Sequence, residues 1–397
     1  MADGSPLPKP VDKSPRSKYP LLAPRFWHGM TLGNWLALLA RNRFAISWRR
    51  LHIVAGATPT TAFNSVCALA QRAIFGRRIA RTEIRQPPIF IIGHWRSGTT
   101  LLHELLVLDP RFTFPTTYEC FAPNQSLVTS WFVEPYMKWL IPRQRPMDNM
   151  AAGWDRPQED EFALANMGVG SPYTRLAFPN RPQNEEFLDL QDVSPPALAR
   201  WKAGFTRFLR TITVRSDRPI VLKSPPHTAR VKLLLELFPE ARFIHIVRDP
   251  YVVYASTVRL WKSLYDVQGL QLATLDGLEE KVFRDFERMY GAFFAQKELI
   301  PPGHLCEVRY EELVRDPLGQ MEAIYDQLEL GDFAAVRPAM ANHLAGQKNY
   351  ATNRFEIAPP LRAEIARRWA EFICHYGYDG APEQPAHAGL GSGLPLS

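Results

Sequence analysis

Three cations stand in this 397-residue chain where chemistry on an anion would need them. Residues 93–100 read GHWRSGTT, directly after the apolar run IFII and directly before the helix-like LLHELLVL. Gly93 and Gly98 let the backbone turn its amides inward, and Ser97, Thr99 and Thr100 add hydroxyls, which together make a phosphate cradle at a helix N-terminus. A nucleoside-triphosphate loop, G-x-x-x-x-G-K-[ST], would carry its lysine where Thr99 stands. Here the cation is Arg96, inside the loop, where a guanidinium can fork onto two anionic oxygens. That disfavours an ordinary Mg-dependent ATPase or kinase. Arg248 closes RFIHIV, and Ser256 follows it by eight residues on a helix begun by Asp249-Pro250; Lys223 closes PIVLK in the same way. Arg96, Lys223 and Arg248 are therefore expected to converge on the sheet edge where open α/β folds bind ligands.

The elements that must position these residues are read from periodicity. Gln86-Pro87-Pro88 breaks a helical pattern, and a strand-then-helix grammar then recurs four times. It runs through IFIIGH before LLHELLVL, PIVLKSPPH before TARVKLLLELF, RFIHIVRDP before YVVYASTVRLW, and HLCEVRYEELV before a further helix. Such alternation predicts an α/β fold, a mainly parallel sheet flanked by helices. Residues 121–216 are less regular, with many prolines and with Trp131, Trp139, Trp154 and Tyr173, and predict a helical and loop insertion over the sheet's edge.

Composition narrows the classes. With 46% hydrophobic and 22% charged residues the chain is globular rather than disordered or collagen-like, and its 35 prolines predict many ordered loops. Cys67, Cys120, Cys306 and Cys374 lie far apart without metal-ligand spacing, which reads as free thiols in a reducing cytoplasm and implies no metal site. No apolar run is expected to approach the roughly 18 residues of a spanning helix. The formal charge of +7 is unevenly placed: residues 1–85 carry +11, the remainder −4, and no Asp or Glu lies between Lys13 and Thr82. Residues 1–20 and 381–397 are expected as tails, 21–85 as a basic helical arm and 86–380 as the main domain. In the arm, Trp35, Leu38 and Leu39, then Phe63, Val66, Cys67, Ala70 and Ile74, recur at three-and-four spacing and predict two short amphipathic helices. Arg41, Arg43, Arg49, Arg50, Arg72, Arg77 and Arg78, interleaved with Trp27, Trp35 and Trp48, suit an anionic membrane surface or an acidic partner. The other expectation is an arm packed on the acidic body. Nucleic acid is disfavoured, because no recognised motif accompanies the charge.

Taken in order, these motifs resemble the sulfotransferases that use 3′-phosphoadenosine-5′-phosphosulfate (PAPS), over about residues 88–379. IIGHWRSGTT is similar to that family's 5′-phosphosulfate loop, which implies donor contacts from Gly93, His94, Trp95, Arg96, Ser97, Gly98, Thr99 and Thr100. VRDPYVVYAS is similar to its 3′-phosphate motif, with Arg248 and Ser256 at the family's spacing. LKSPPH places Lys223 where the family carries a sulfuryl-contacting lysine, and RYEELVRDP places Tyr310 where it has a tyrosine near the adenine. The likeness is nearest to the bacterial and Golgi-like branch and implies a P-loop-like fold. The cytosolic branch's KTHxP is absent, with Pro225 where its histidine would stand. Its RKG element is also missing, leaving Lys348 and Arg354 in QKNYATNRF as stand-ins.

In-line sulfuryl transfer to an alcohol, phenol or amine needs a base for the acceptor proton and cations for the peripheral oxygens, which Arg96 and Lys223 would supply without a metal. The resemblance places the family's catalytic glutamate at Glu119, 23 residues after Arg96, and His227, four residues past Lys223, is its rival. His94 can donate to the ligand or pack beneath it. The acidic run Glu159, Asp160 and Glu161 reads as a helix N-terminus. The expected acceptor is a small molecule, lipid or carbohydrate. Two other classes remain: a P-loop small-molecule kinase, which would turn over ATP with Mg, and a non-catalytic protein that binds PAPS or its desulfated product PAP.

Overall fold

The computed structural model describes residues 24–136, 153–346 and 356–378. The two expected tails, Trp139, Lys348 and Arg354 lie outside the described residues. Strands β1 (Ile89–Ile92), β2 (Val221–Lys223), β3 (Arg242–Val247) and β4 (Leu305–Arg309) pair in parallel in the order β2-β1-β3-β4. Alternate residues of the central strands serve different cores. Ile89, Ile91, Ile244 and Ile246 pack with Leu102, Leu105 and Tyr325, whereas Phe90, Ile92, Phe243 and Val247 pack with Trp261, Phe286 and Trp369. Because helices cover both faces, these strands read as unbroken apolar runs rather than as polar alternation.

The helices that matter to the site are α1 (Leu32–Arg41), α2 (Leu51–Arg81), α3 (Thr99–Leu106), α4 (Thr117–Phe121), α5 (Ser126–Tyr136), α6 (Asp160–Met167), α7 (Pro195–Arg215), α8 (Val231–Leu237), α9 (Pro250–Gln268) and α10 (Leu278–Gln296). α4 to α7 form the predicted insertion between β1 and β2. From β1 the chain crosses to β2 on one side, and from β3 to β4 on the other, so neighbouring β1 and β3 open a crevice at their C-terminal ends. The loop from Gly93 leaves β1 there, and Arg248 leaves β3. α9 begins sharply at that edge because the Asp249 carboxylate accepts from the Tyr251 and Val252 amides and Pro250 occupies a first-turn position that needs no N–H.

The basic arm departs from its sequence pattern. Trp35, Leu38 and Leu39 of α1 are buried as the spacing predicts, and Phe26 and Trp27 join them in the main core. α2, however, is one helix of 31 residues, and its inward positions are Ile53, Ala57, Thr61, Asn64, Gln71 and Ile79. The predicted stripe of Phe63, Val66 and Ile74 faces outward. Two polar residues explain the reversal: Asn64 donates to the Met30 carbonyl at 3.0 Å, and Gln71 accepts from the Leu127 amide at 2.8 Å. Those bonds anchor the side that an apolar count alone would have turned to water. The segment Trp48–Arg81 is also long and apolar enough, by length and composition, to cross a membrane, which corrects the expectation that no run approached that length.

Candidate active site

The loop after β1 is shaped by backbone that only glycine adopts easily. Gly93 and Gly98 have φ of +145° and +107°, and a Cβ on Gly98 would come within 2.4 Å of the Tyr310 ring. The Gly93 amide donates to Thr228 Oγ1 at 2.7 Å, and Ser97 Oγ closes the turn on the His94 carbonyl at 2.8 Å. Thr99 and Thr100 begin α3, whose N-terminal dipole faces the crevice. Arg96 has a φ of +71°, strained for a side chain with a Cβ, and this aims its guanidinium across the crevice.

That aim joins motifs far apart in sequence. Arg96 Nε donates to Ser256 Oγ at 2.9 Å, and Arg248 Nη1 donates to the Arg96 carbonyl at 3.1 Å. The Arg248 guanidinium lies over the Tyr310 ring, 4.0 Å from its centroid. Arg96, Arg248, Ser256 and Tyr310 are thus one constellation: two cations, a hydroxyl and an aromatic face beside the loop 93–100. This arrangement fits a nucleotide that carries separate anionic groups.

Lys223 comes to the other side of the loop from the end of β2. Its ammonium donates to Glu159 Oε1 at 2.6 Å and lies 3.4 Å from Thr100 Oγ1. Glu159 Oε2 accepts a short bond from the Tyr173 hydroxyl, which accepts from Trp95 Nε1 at 2.8 Å. Burial and the adjacent Glu159 carboxylate push the Tyr173 phenol well above its ordinary value, so it remains a donor. Lys223 is buried, while Glu159 keeps 13% of its side chain exposed beside it.

The expected bases are placed differently. Glu119 sits in the first turn of α4, where its carboxylate accepts from the Thr116 amide in a capping box and from Arg215 Nε at 2.7 Å. His227 Nε2 meets Asp160 Oδ2 at 2.7 Å with neither side chain exposed, and its ring packs on Phe90 and Phe205. Burial alone would raise the Asp160 carboxyl, but His227 and the Ser224 hydroxyl hold it below its ordinary range. His94 is buried between Trp95 and Phe286 with Nδ1 2.9 Å from the Trp95 carbonyl, and burial pushes it down to about 3, so its ring is neutral. The Trp95 side chain is likewise directed inward, toward Tyr173.

The acidic run does begin a helix, as its composition predicts, but each member also has a basic partner. Glu159 pairs with Lys223, Asp160 with His227 and Glu161 with Arg230. A sequence signal for this existed: three consecutive carboxylates in a largely apolar helix, and three basic residues at positions 223, 227 and 230 on a segment too apolar to solvate them. Tyr173 carried no such signal.

Comparison with known proteins gives the family and the fold. Residues 87–334 match the profile of the sulfotransferase family. The chain is 47% identical over 361 residues to the omega-hydroxy-beta-dihydromenaquinone-9 sulfotransferase Stf3 of Mycobacterium bovis, covering 91% of this chain and 93% of that one. Among solved structures, sulfotransferase STF9 from Mycobacterium avium superposes with a TM-score of 0.61 at 18% identity, over 81% of this chain and 85% of its own. Sulfotransferase STF1 from Mycobacterium tuberculosis does so at 0.57 and 19%, over 86% and 91%. These two likenesses establish a shared P-loop-like α/β fold.

Proposed function

This chain belongs to the sulfotransferase family and is an enzyme, and from that premise we propose that it moves the sulfuryl group of PAPS to the hydroxyl of a lipid-like acceptor at an anionic membrane surface in the cytoplasm. The observation that carries the donor assignment is the Arg96, Arg248, Ser256 and Tyr310 constellation around the loop 93–100. Arg248 and Ser256 would hold the 3′-phosphate, Tyr310 would lie near the adenine, and the loop amides with Arg96 would hold the phosphosulfate end. PAPS supplies the sulfuryl group in an activated phosphosulfate linkage. The lipid assignment follows the relative named for an omega-hydroxylated menaquinone, and the four free thiols suit a reducing compartment.

For the proton we propose Glu159 in place of Glu119 or His227. Both carboxylate oxygens of Glu119 serve the α4 cap and Arg215, and His227 is sealed against Asp160. Glu159 keeps 13% of its side chain exposed and adjoins the proposed sulfuryl-contacting lysine. Once Lys223 turns its charge to the sulfuryl oxygens, the Glu159 oxygen it held is freed to take the proton of the acceptor hydroxyl. Tyr173 holds the other carboxylate oxygen in place meanwhile.

The direct test incubates the chain with sulfur-labelled PAPS and an omega-hydroxylated menaquinone. Label in the quinone, with turnover that survives a chelator, is the expected result. ATP-dependent phosphorylation requiring Mg, or PAP binding without turnover on any lipid, carbohydrate or small-molecule alcohol, would overturn it.

A further inference from the structure

Helix α2 is covered on one side only, that of Ile53, Ala57, Thr61, Asn64, Gln71 and Ile79. On the other, Phe63, Val66, Leu69 and Ile74 are 53%, 66%, 67% and 67% exposed. Together with Leu51 they form a strip over residues 51–74, about 36 Å of helix, and no Asp, Glu, Lys or Arg occurs from Leu51 to Gln71. Trp48 precedes the strip at 75% exposure, and Trp131 on the neighbouring α5 is 73% exposed. Exposed Arg41, Arg43 and Arg49 precede it, and exposed Arg77 and Arg81 follow. A continuous apolar face with indoles and arginines at its borders is the composition of a helix lying in a membrane interface.

A cationic groove borders the same strip. It encloses about 1100 Å³ between α2 and α7 and is lined by Leu69, Arg72 and Arg77 from one helix and Lys202, Arg207 and Arg210 from the other. Among the described residues no carboxylate lines it. Lys202 engages Glu236 at 2.7 Å and Arg207 donates to Asn124 Oδ1 at 2.8 Å, whereas Arg72 and Arg210 have no ion pair among the described residues. Burial, and after it the nearby Arg72, pull the Arg207 guanidinium below its ordinary value.

We propose that α2 lies in the interface of an anionic membrane, with the 51–74 strip toward the acyl chains and the α2–α7 groove around the phosphate of an anionic lipid headgroup. The helix rests there and does not cross, because its other side is held to the protein by Asn64 and Gln71. The run without Asp or Glu from Lys13 to Thr82 suits an anionic surface, and the exposed apolar strip bordered by Trp48, Trp131 and arginines is what assigns that surface to a bilayer. This contact deepens the membrane reading above but is independent of sulfuryl transfer, since binding is read without turnover.

The test floats the full chain with vesicles of phosphatidylcholine alone or mixed with phosphatidylglycerol. Binding is expected to the mixed vesicles, to weaken with salt, and to be slight on phosphatidylcholine alone. Val66→Asp and Ile74→Asp, both at exposed positions, should each reduce it about tenfold or more, as should Arg72→Gln combined with Arg210→Gln. All should keep the wild-type melting temperature and PAP affinity, so a lost membrane contact is distinguishable from a lost transferase site. Equal binding to neutral vesicles would overturn the headgroup groove. Failure of the wild type to float, or variants that float like it, would overturn the surface altogether. A concentration-dependent dimer that Ile74→Asp abolishes, in a protein that ignores vesicles, would assign the strip to a second copy instead.

Discussion

Lys223 and Glu159 form a 2.6 Å ion pair between the end of β2 and the residue that precedes α6, 64 positions apart in the chain. A lysine this buried needs a counter-charge, and that counter-charge keeps 13% of its own side chain exposed. In the proposed mechanism an incoming sulfonate competes for the ammonium, which would couple donor binding to release of the Glu159 carboxylate at one nitrogen.

That coupling predicts the effect of Glu159→Gln. Turnover should fall about 10²–10⁴-fold, the range for loss of a general base, while PAP affinity stays within a few-fold of wild type. Formate should partly restore turnover to Glu159→Gly, which a merely structural role would not allow. Near-normal turnover in Glu159→Gln would contradict the assignment.

Glu119 should behave as a stability residue. Replacing it with Gln removes the charge that Arg215 pairs with and weakens the cap of α4, so thermal unfolding should show a loss of about 1–3 kcal/mol. Turnover measured below the melting transition should change far less than for Glu159→Gln. Wild-type stability with collapsed turnover would return the base to Glu119.

The buried histidines set an acid sensitivity. Burial lowers His94 to about 3 and also lowers His245 and His28, all from an ordinary 6.5. As pH falls through 6.5 the unfolded chain takes up protons that the folded chain refuses. The stability they contribute is therefore complete above 6.5 and is lost as pH drops toward the folded values. The slope is up to about 1.4 kcal/mol per pH unit for a fully buried histidine. Urea midpoints between pH 6.5 and 5 should fall with pH, and less steeply in His94→Gln. An unchanged slope in that variant would show that His94 is not held neutral.

The parallel sheet and the crevice were legible in the sequence because each strand is a short apolar run that ends in a cation or a glycine loop. Arg96, Arg248, Ser256 and Tyr310 could be gathered from motifs alone, since loop geometry and strand ends fix where they go. Glu159 could not: a carboxylate at a helix start looks the same whether water or Lys223 neutralises it, and only tertiary packing distinguishes them. α2 misled for a related reason. Its largest apolar side chains lie on the outward side, and the hydrogen bonds of Asn64 and Gln71, invisible to periodicity, decided which side turned inward.

Calorimetric titration of PAP into the wild type and into folded Arg248→Ala and Ser256→Ala tests the donor site most directly. Removing a charge-assisted bond costs about 1.5–3 kcal/mol, so Arg248→Ala should bind PAP about tenfold to a hundredfold more weakly, and Ser256→Ala should lose less. Unchanged affinity in Arg248→Ala, with an unchanged melting curve, would contradict the account.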